Sequence, residues 1–248
     1  MRNFMRIFRM DLINLLKNPV LINFNTVFAA LLVLIMGFLT SGNYARSLDA
    51  YNYYAVSFLI FGMLEGAMTA TNCFMERDIK KPNLRIIYSP SGKFPIYFSK
   101  IAASFVFDYS LHLLLLVFFV FAVHLNLGGP RIGYIILMMA PVEFAACALG
   151  VLFCCIFKCE ETSSSILSLV VSILGFLGGA FFSLDGLGNA LSAISNVSPV
   201  KWLIDAFFAV IYDGNLSPVA PVVLVTTAIC AALVAGCAKT FKTEDYIC

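Results

Sequence analysis

Four ionisable side chains stand inside long apolar runs of this chain: Glu65, Asp108, His112 and Glu143. A charged group at the centre of a membrane-spanning helix costs about 2.5–3.5 kcal/mol on insertion scales. Such residues therefore face a bundle interior or a wet cavity. Two chemistries are open to them. Carboxylates and an imidazole can pass a proton or hold a cation; they can equally hydrogen-bond between helices and fix the packing, which is the commoner use. Asp108 and His112 are four residues apart, share a helix face and can pair there. No Lys or Arg lies in the central layer to neutralise the acids. Full transport with Asp108 and Glu143 both made charge-neutral would exclude the relay.

The elements that must position these groups follow from composition. The 248 residues are 61% hydrophobic and 12% charged, with a mean hydropathy of +0.93. A soluble domain carries about 25% charged residues, so the bilayer must be the solvent for most of this surface. Apolar runs occur at about 22–40, 52–74, 100–124, 133–157, 163–183 and 218–238. Each is near the ~20 residues that cross a ~30 Å hydrocarbon layer. Leu, Phe, Ala and Gly fill them without alternation, which excludes a β-barrel reading. The expected fold is an all-α integral membrane protein with six transmembrane helices. The first run lacks a small-x-small cleavage site and is read as a span rather than a signal peptide.

Lys and Arg set the orientation. With the N-terminus inside, the inner segments carry Arg2, Arg6, Arg9, Lys17, Arg77, Lys80, Lys81, Arg85, Lys93, Lys100, Lys158, Lys239 and Lys242, and the outer ones only Arg46, Arg131 and Lys201. Thirteen against three places both termini in the cytoplasm. The eight cysteines all fall in the inner half or the cytoplasm, so no external disulfide framework is expected. Cys154, Cys155 and Cys159 read as small side chains packing at a helix end, and no metal site is expected.

The polar, basic stretch from Glu76 to Lys100 holds six of the sixteen Lys and Arg, and is the place for a cytoplasmic partner. Residues 1–18 read as an interfacial helix. Phe4, Phe8, Leu12, Leu15 and Leu16 recur on one face, with Arg2, Arg6, Arg9 and Lys17 largely on another, and Pro19 ends it. Residues 184–217 are too polar to span. Within them Ser198-Pro199 starts a short outer helix running through Trp202 and Phe208, with Ser as N-cap and Pro in the first turn. Such a segment re-enters the outer leaflet or lies on it. Gly128-Gly129-Pro130 marks a turn. Gly62 and Gly66 in the second span, and Gly175, Gly178 and Gly179 in the fifth, have the spacing that lets helix backbones approach closely. The chain reads as one transmembrane domain, 1–248, with an interfacial helix at 1–18, a coupling segment at 76–99 and the outer segment at 184–217.

In order along the chain, these features are a basic N-terminal helix, RMDLINLLKNP; a second span ending in Glu76-Arg77; a cytoplasmic stretch reaching Ser89-Pro90; and Lys100 entering the third span. An acidic link, Glu160-Glu161-Thr162, follows, then a Gly-rich fifth span ending GGAFFSLDGL, and an outer Ser198-Pro-x-x-Trp202. This sequence of motifs resembles the membrane subunit, or permease, of type-2 ABC exporters, over nearly the whole chain. Lys80-Lys81-Pro82-Asn83 stands where that family often has Gly. The resemblance implies alternating access driven by a separate ABC ATPase subunit docked on Glu76, Arg77, Asp78, Ser89, Pro90 and Arg9. It implies a second permease copy, identical or related, a cargo route between the two copies, and residence in a bacterial plasma membrane. No cofactor is expected on this chain; ATP and Mg belong to the partner.

This division of labour agrees with the absence of a GxxxxGK[ST] phosphate loop. Neither GxGD nor a GxS motif partnered to His112 or His124 is present, which argues against an intramembrane protease. No basic patch suits nucleic acid. Two alternatives stay open: an ion-coupled transporter or channel using Glu65, Asp108 and Glu143, and an immunity-type permease that clears a peptide from the membrane.

Overall fold

A computed structural model describes residues 2–44, 47–76, 92–182 and 195–242. They form helices joined by short turns, with no strand among them. Six helices among the described residues are long and apolar enough to cross a membrane: Pro19–Asn43, Leu48–Met75, Phe94–Phe121, Gly129–Phe157, Glu160–Leu177 and Val219–Thr240, here spans 1 to 6. They match the six expected runs. Span 3 begins earlier than its apolar run, and span 5 stops at Leu177, where the chain turns through Gly179 at φ +80°.

Local chemistry explains the boundaries. The N-terminal helix, Arg2–Leu16, gives way to span 1 at Asn18, whose side chain accepts from the backbone N–H of Val20 at 3.1 Å and of Leu21 at 3.3 Å, with Pro19 following. The expected Gly128-Gly129 turn is present, both residues having positive φ. Spans 4 and 5 are joined by Lys158, left-handed at φ +60°, and an extended Cys159. Glu160 and Glu161 then occupy the first turn of span 5, where the helix dipole favours acids. Ser198 caps a short helix, Pro199–Phe208: its Oγ accepts from Val200 N–H at 3.3 Å and donates to the Leu174 carbonyl at 3.0 Å. Pro199 opens that helix and Trp202 lies part-exposed on it.

Burial places span 2 at the centre. Its apolar window is 78% buried, against 17% for span 1 and 22% for spans 5 and 6. Span 2 packs on spans 1, 3, 4 and 5, while span 6 leans on span 4. Among the described residues two large apolar cores result. One, around Tyr54, Phe58, Met63, Phe119 and Phe207, fills the end of the bundle next to the short helix. The other, around Phe74, Tyr97, Ile101, Val151 and Cys237, fills the opposite end.

Spans 2 and 4 approach closely at Gly150, where an added Cβ would lie 2.1 Å from the Ala67 carbonyl oxygen. The glycines singled out by spacing meet side chains of neighbouring helices first. An added Cβ at Gly62 would first meet the His112 imidazole, and one at Gly66 the Glu143 and Asp108 carboxyls. Gly175 accommodates the Phe61 ring and Gly178 the Val200 side chain. Gly179 lies beyond the helix, its carbonyl accepting from Tyr53 Oη at 2.6 Å.

The N-terminal helix is amphipathic as expected, with a shifted face. Ile7, Asp11 and Leu15 are buried, Phe4, Phe8 and Leu12 half-buried, and Arg6, Arg9 and Lys17 exposed. Leu16, expected on the apolar face, is 55% exposed. The buried stripe i, i+4, i+8 is set by docking on span 3 rather than by hydropathy alone, and one of its three members is an acid.

Candidate functional site: a buried polar layer and a clamped helix

Between the two apolar cores lies a polar layer drawn from spans 1 to 4. Span 1 contributes Asn25, turned inward within a π-helical turn at Phe24–Phe28. Such turns are rare and recur at functional sites. Span 2 contributes Glu65 and Thr69, span 3 Asp108 and His112, and span 4 Glu143 and Cys147; all of these are buried. Asn25 Nδ2 donates to Asp108 Oδ1 at 3.1 Å and to Thr69 Oγ1 at 3.3 Å. His112 Nδ1 lies 2.9 Å from Glu143 Oε2. The Cys147 thiol reaches Asp108 Oδ2 and the Gly66 carbonyl, each at 3.9 Å.

This corrects the pairing expected from spacing. Asp108 and His112 share a face of span 3 but do not bond each other. Asp108 reaches across to span 1 and His112 to span 4, because both point into the centre of the bundle, where neighbouring helices offer better partners than the next turn of their own. The sequence reading found the four ionisable members and missed Asn25, Thr69 and Cys147. Asn25 had a signal, being an amide inside an apolar run; Thr69 and Cys147 had none, since both types are common packing residues in spans.

Two buried atoms of the layer have no hydrogen-bond partner, Glu143 Oε1 and His112 Nε2. One carboxylate oxygen of Glu143, one of Asp108 and Cys147 Sγ lie within 4.8 Å of one another. Glu65 borders a cavity of about 20 Å³ shared with Asn25, Gly62 and His112. A larger groove of about 550 Å³ runs between spans 1 and 3, lined by apolar side chains including Leu31, Leu34, Leu114 and Phe118.

The second constellation lies at the end of the bundle that bears the N-terminal helix. Asp11 on that helix pairs with Lys100 on span 3 in a charge-assisted hydrogen bond, and Ser99 Oγ donates to Asp11 at 3.4 Å. Both charged groups are buried, Asp11 at 2% exposure and Lys100 at 1%. Burial pushes the Asp11 carboxyl above the usual carboxylate range, and the Lys100 ammonium opposes that rise. Leu15, Cys73, Ala103 and Phe107 close an apolar seam beside the pair. The helix is thus clamped to the start of span 3, one face of which continues to Asp108 and His112.

Of the residues expected to meet an ATPase, Glu76 is half-buried at the end of span 2 and Arg9 is exposed on the N-terminal helix. Arg77, Asp78, Ser89 and Pro90 lie outside the described residues. Among the described cysteines none is in a disulfide, and only Cys159 is exposed. Hydrogen bonds from the Thr162 backbone and hydroxyl lower its thiol below the usual range.

A profile of the ABC-2 type transporter membrane family matches residues 2–212. No curated protein matches the chain.

Proposed function

The chain belongs to the ABC-2 type transporter family, and on that premise we propose that it works as the permease of an ATP-driven exporter, moving an amphipathic or hydrophobic cargo outward. It is a multi-pass membrane protein and an ABC transporter permease subunit. A separate ABC ATPase, carrying ATP and Mg, docks on the segment after Glu76 and on the N-terminal helix. A second permease copy, identical or related, completes the transporter. It resides in the plasma membrane with both termini in the cytoplasm, and its role is transport rather than catalysis on this chain.

The observation that carries this reading is the Asp11–Lys100 clamp. A helix lying against the bundle end and locked to span 3 by a buried ion pair turns a push at the surface into a displacement of that span. Span 3 contacts spans 2 and 4 and the N-terminal part of span 1, so its motion reorganises the bundle. This is a two-state element biased by a ligand on another chain. The apolar groove between spans 1 and 3 supports a hydrophobic cargo.

Affinity purification from native membranes in mild detergent, with mass spectrometry and an ATPase assay, tests the assignment. The expected result is a stoichiometric ATPase whose recovery drops about tenfold, the equivalent of about 1.4 kcal/mol, when Glu76 and Arg77 are both replaced by Ala. Purification of the chain without any ATPase, under conditions that keep other transporters intact, would reject it and favour the ion-coupled reading that the polar layer suggests. Orientation has its own test. In a Cys248→Ser background, a membrane-impermeant maleimide is expected to label Cys159 in inside-out vesicles and not in intact cells. Labelling in intact cells would reverse the topology.

A further inference from the structure

The polar layer contains more acid than base. The groups touching its carboxyls are Asn25, Thr69 and Cys147 at Asp108, and His112 at Glu143. Glu65 of span 2 borders the adjoining cavity, Cys73 of the same span lies toward Asp108 and Lys100, and Lys100 is bonded to Asp11. With both central acids ionised and His112 an imidazolium, the three groups would carry one net negative charge. Asp108, His112 and Glu143 have no exposed surface, and even after relaxation an uncompensated buried ion costs several kcal/mol. One further proton removes that charge.

The geometry provides a place for it. Glu143 Oε1 and Asp108 Oδ2 converge on Gly66, where an added Cβ would stand 2.6 Å from the first and 3.2 Å from the second. Oε1 has no partner, and Oδ2 meets the weak thiol donor of Cys147 at 3.9 Å. The other unpartnered atom, His112 Nε2, points the opposite way, toward Gly62 and the small cavity beside Glu65. At about 20 Å³ that cavity has room for one water. Both unpartnered atoms lie on one line: cavity, His112 Nε2, His112 Nδ1, Glu143 Oε2, Glu143 Oε1, Asp108 Oδ2.

We propose that this line is a proton-binding site, loaded from the cavity beside Glu65 and holding its proton between Glu143 and Asp108. Before loading, His112 is neutral with its proton on Nδ1, Glu143 carries a proton on Oε1 and Asp108 is ionised, which is the same single negative charge. A proton added at His112 Nε2 then releases the Nδ1 proton to Glu143 Oε2, and Glu143 passes its Oε1 proton to Asp108 Oδ2. One proton enters, one comes to rest on Asp108, and His112 and Glu143 end neutral. Because the site joins spans 1, 2, 3 and 4, its occupancy sets how firmly those spans are held together.

Infrared spectroscopy of the full-length chain in lipid nanodiscs tests this without any ATPase, so its outcome is separate from that of the exporter assignment. The expected result at neutral pH is a protonated-carboxyl band that is displaced in Asp108→Asn and in Glu143→Gln and lost when both are changed. Glu65→Gln should keep the band and slow its exchange in heavy water several-fold. Should a variant fail to fold, side-chain-labelled heavy-carbon aspartate in the wild type gives the same information by shifting part of the band. Absence of the band at neutral pH, or its survival in the double variant, overturns the proposal. So does a stoichiometric metal ion that the wild type retains and the double variant loses, which would make the pair a metal site instead.

Discussion

Replacing Lys100 by Ala is expected to release the N-terminal helix from the bundle. The substitution leaves the Asp11 carboxyl buried, with the Ser99 hydroxyl but without its counter-charge. Removing one partner of a buried ion pair costs about 3–5 kcal/mol, set against the apolar contacts of Ile7 and Leu15 and the half-buried Phe4, Phe8 and Leu12. Asp11 must then take up a proton or leave with its helix. Hydrogen exchange over residues 2–16 is the measurement, with thermal unfolding in nanodiscs beside it. Strong deprotection of that segment, with spans 4 and 6 unaffected, is the expected pattern. The informative control is the double change Asp11→Leu with Lys100→Met. Apolar replacements of a buried pair are often neutral or stabilising by about 1–4 kcal/mol, so docking should return. Equal protection in Lys100→Ala and wild type would mean that apolar contacts alone hold the helix and that the clamp is incidental.

The second large effect is expected at Gly150. A methyl group there would stand 2.1 Å from the Ala67 carbonyl oxygen, 2.9 Å from the Ala67 carbonyl carbon and 3.1 Å from the Ala70 Cβ. These are backbone and Cβ atoms of the central span, with no flexible side chain to swing aside. Spans 2 and 4 must separate, which strains the core on both sides of the polar layer and pulls Glu143 from its place. Overpacking costs about 1–3 kcal/mol in ordinary cores and occasionally more; Gly150→Ala should reach the upper end and Gly150→Leu should prevent assembly. Gly133, in the same span, has nothing within 4 Å of an added Cβ. Gly133→Ala is thus the matched control and should be neutral or stabilising, since Ala is favoured over Gly in a helix by up to about 1 kcal/mol. Thermal midpoints of the two alanine variants settle it; equal midpoints would show that spans 2 and 4 are not locked at this contact.

Much of the fold was legible because lipid imposes a simple code. Length and hydropathy alone mark six spans, and Asn18-Pro19, Gly128-Gly129 and Ser198-Pro199 mark starts and turns by local stereochemistry. Glu65, Asp108, His112 and Glu143 announce a buried site by their cost. The partnerships did not follow, since a heptad-scale pattern says which residues share a face and nothing about which helix that face meets. Asp108 was therefore matched to His112, four residues away, when its partner is Asn25 across the bundle. Lys100 was legible as a cation at a span entrance; its bond to Asp11, 89 residues distant, was not. The glycines show the same limit. Spacing drew attention to Gly62 and Gly66, but small residues admit side chains as readily as backbones, and a close approach of spans 2 and 4 lies at Gly150, which no spacing rule picked out.

The polar layer also has a consequence for biosynthesis. A chain is made from its N-terminus, so Asn25 enters the bilayer before its partner Asp108 exists, 83 residues later. His112 in turn waits for Glu143, another 31 residues on. Until span 3 arrives the Asn25 amide lacks its acid, and until span 4 arrives the His112 imidazole lacks its own, groups that lipid cannot satisfy. The four spans are therefore expected to stay beside the insertion machinery and leave it as a group, and a nascent chain truncated before Glu143 should remain crosslinkable to that machinery after a chain carrying span 4 has been released.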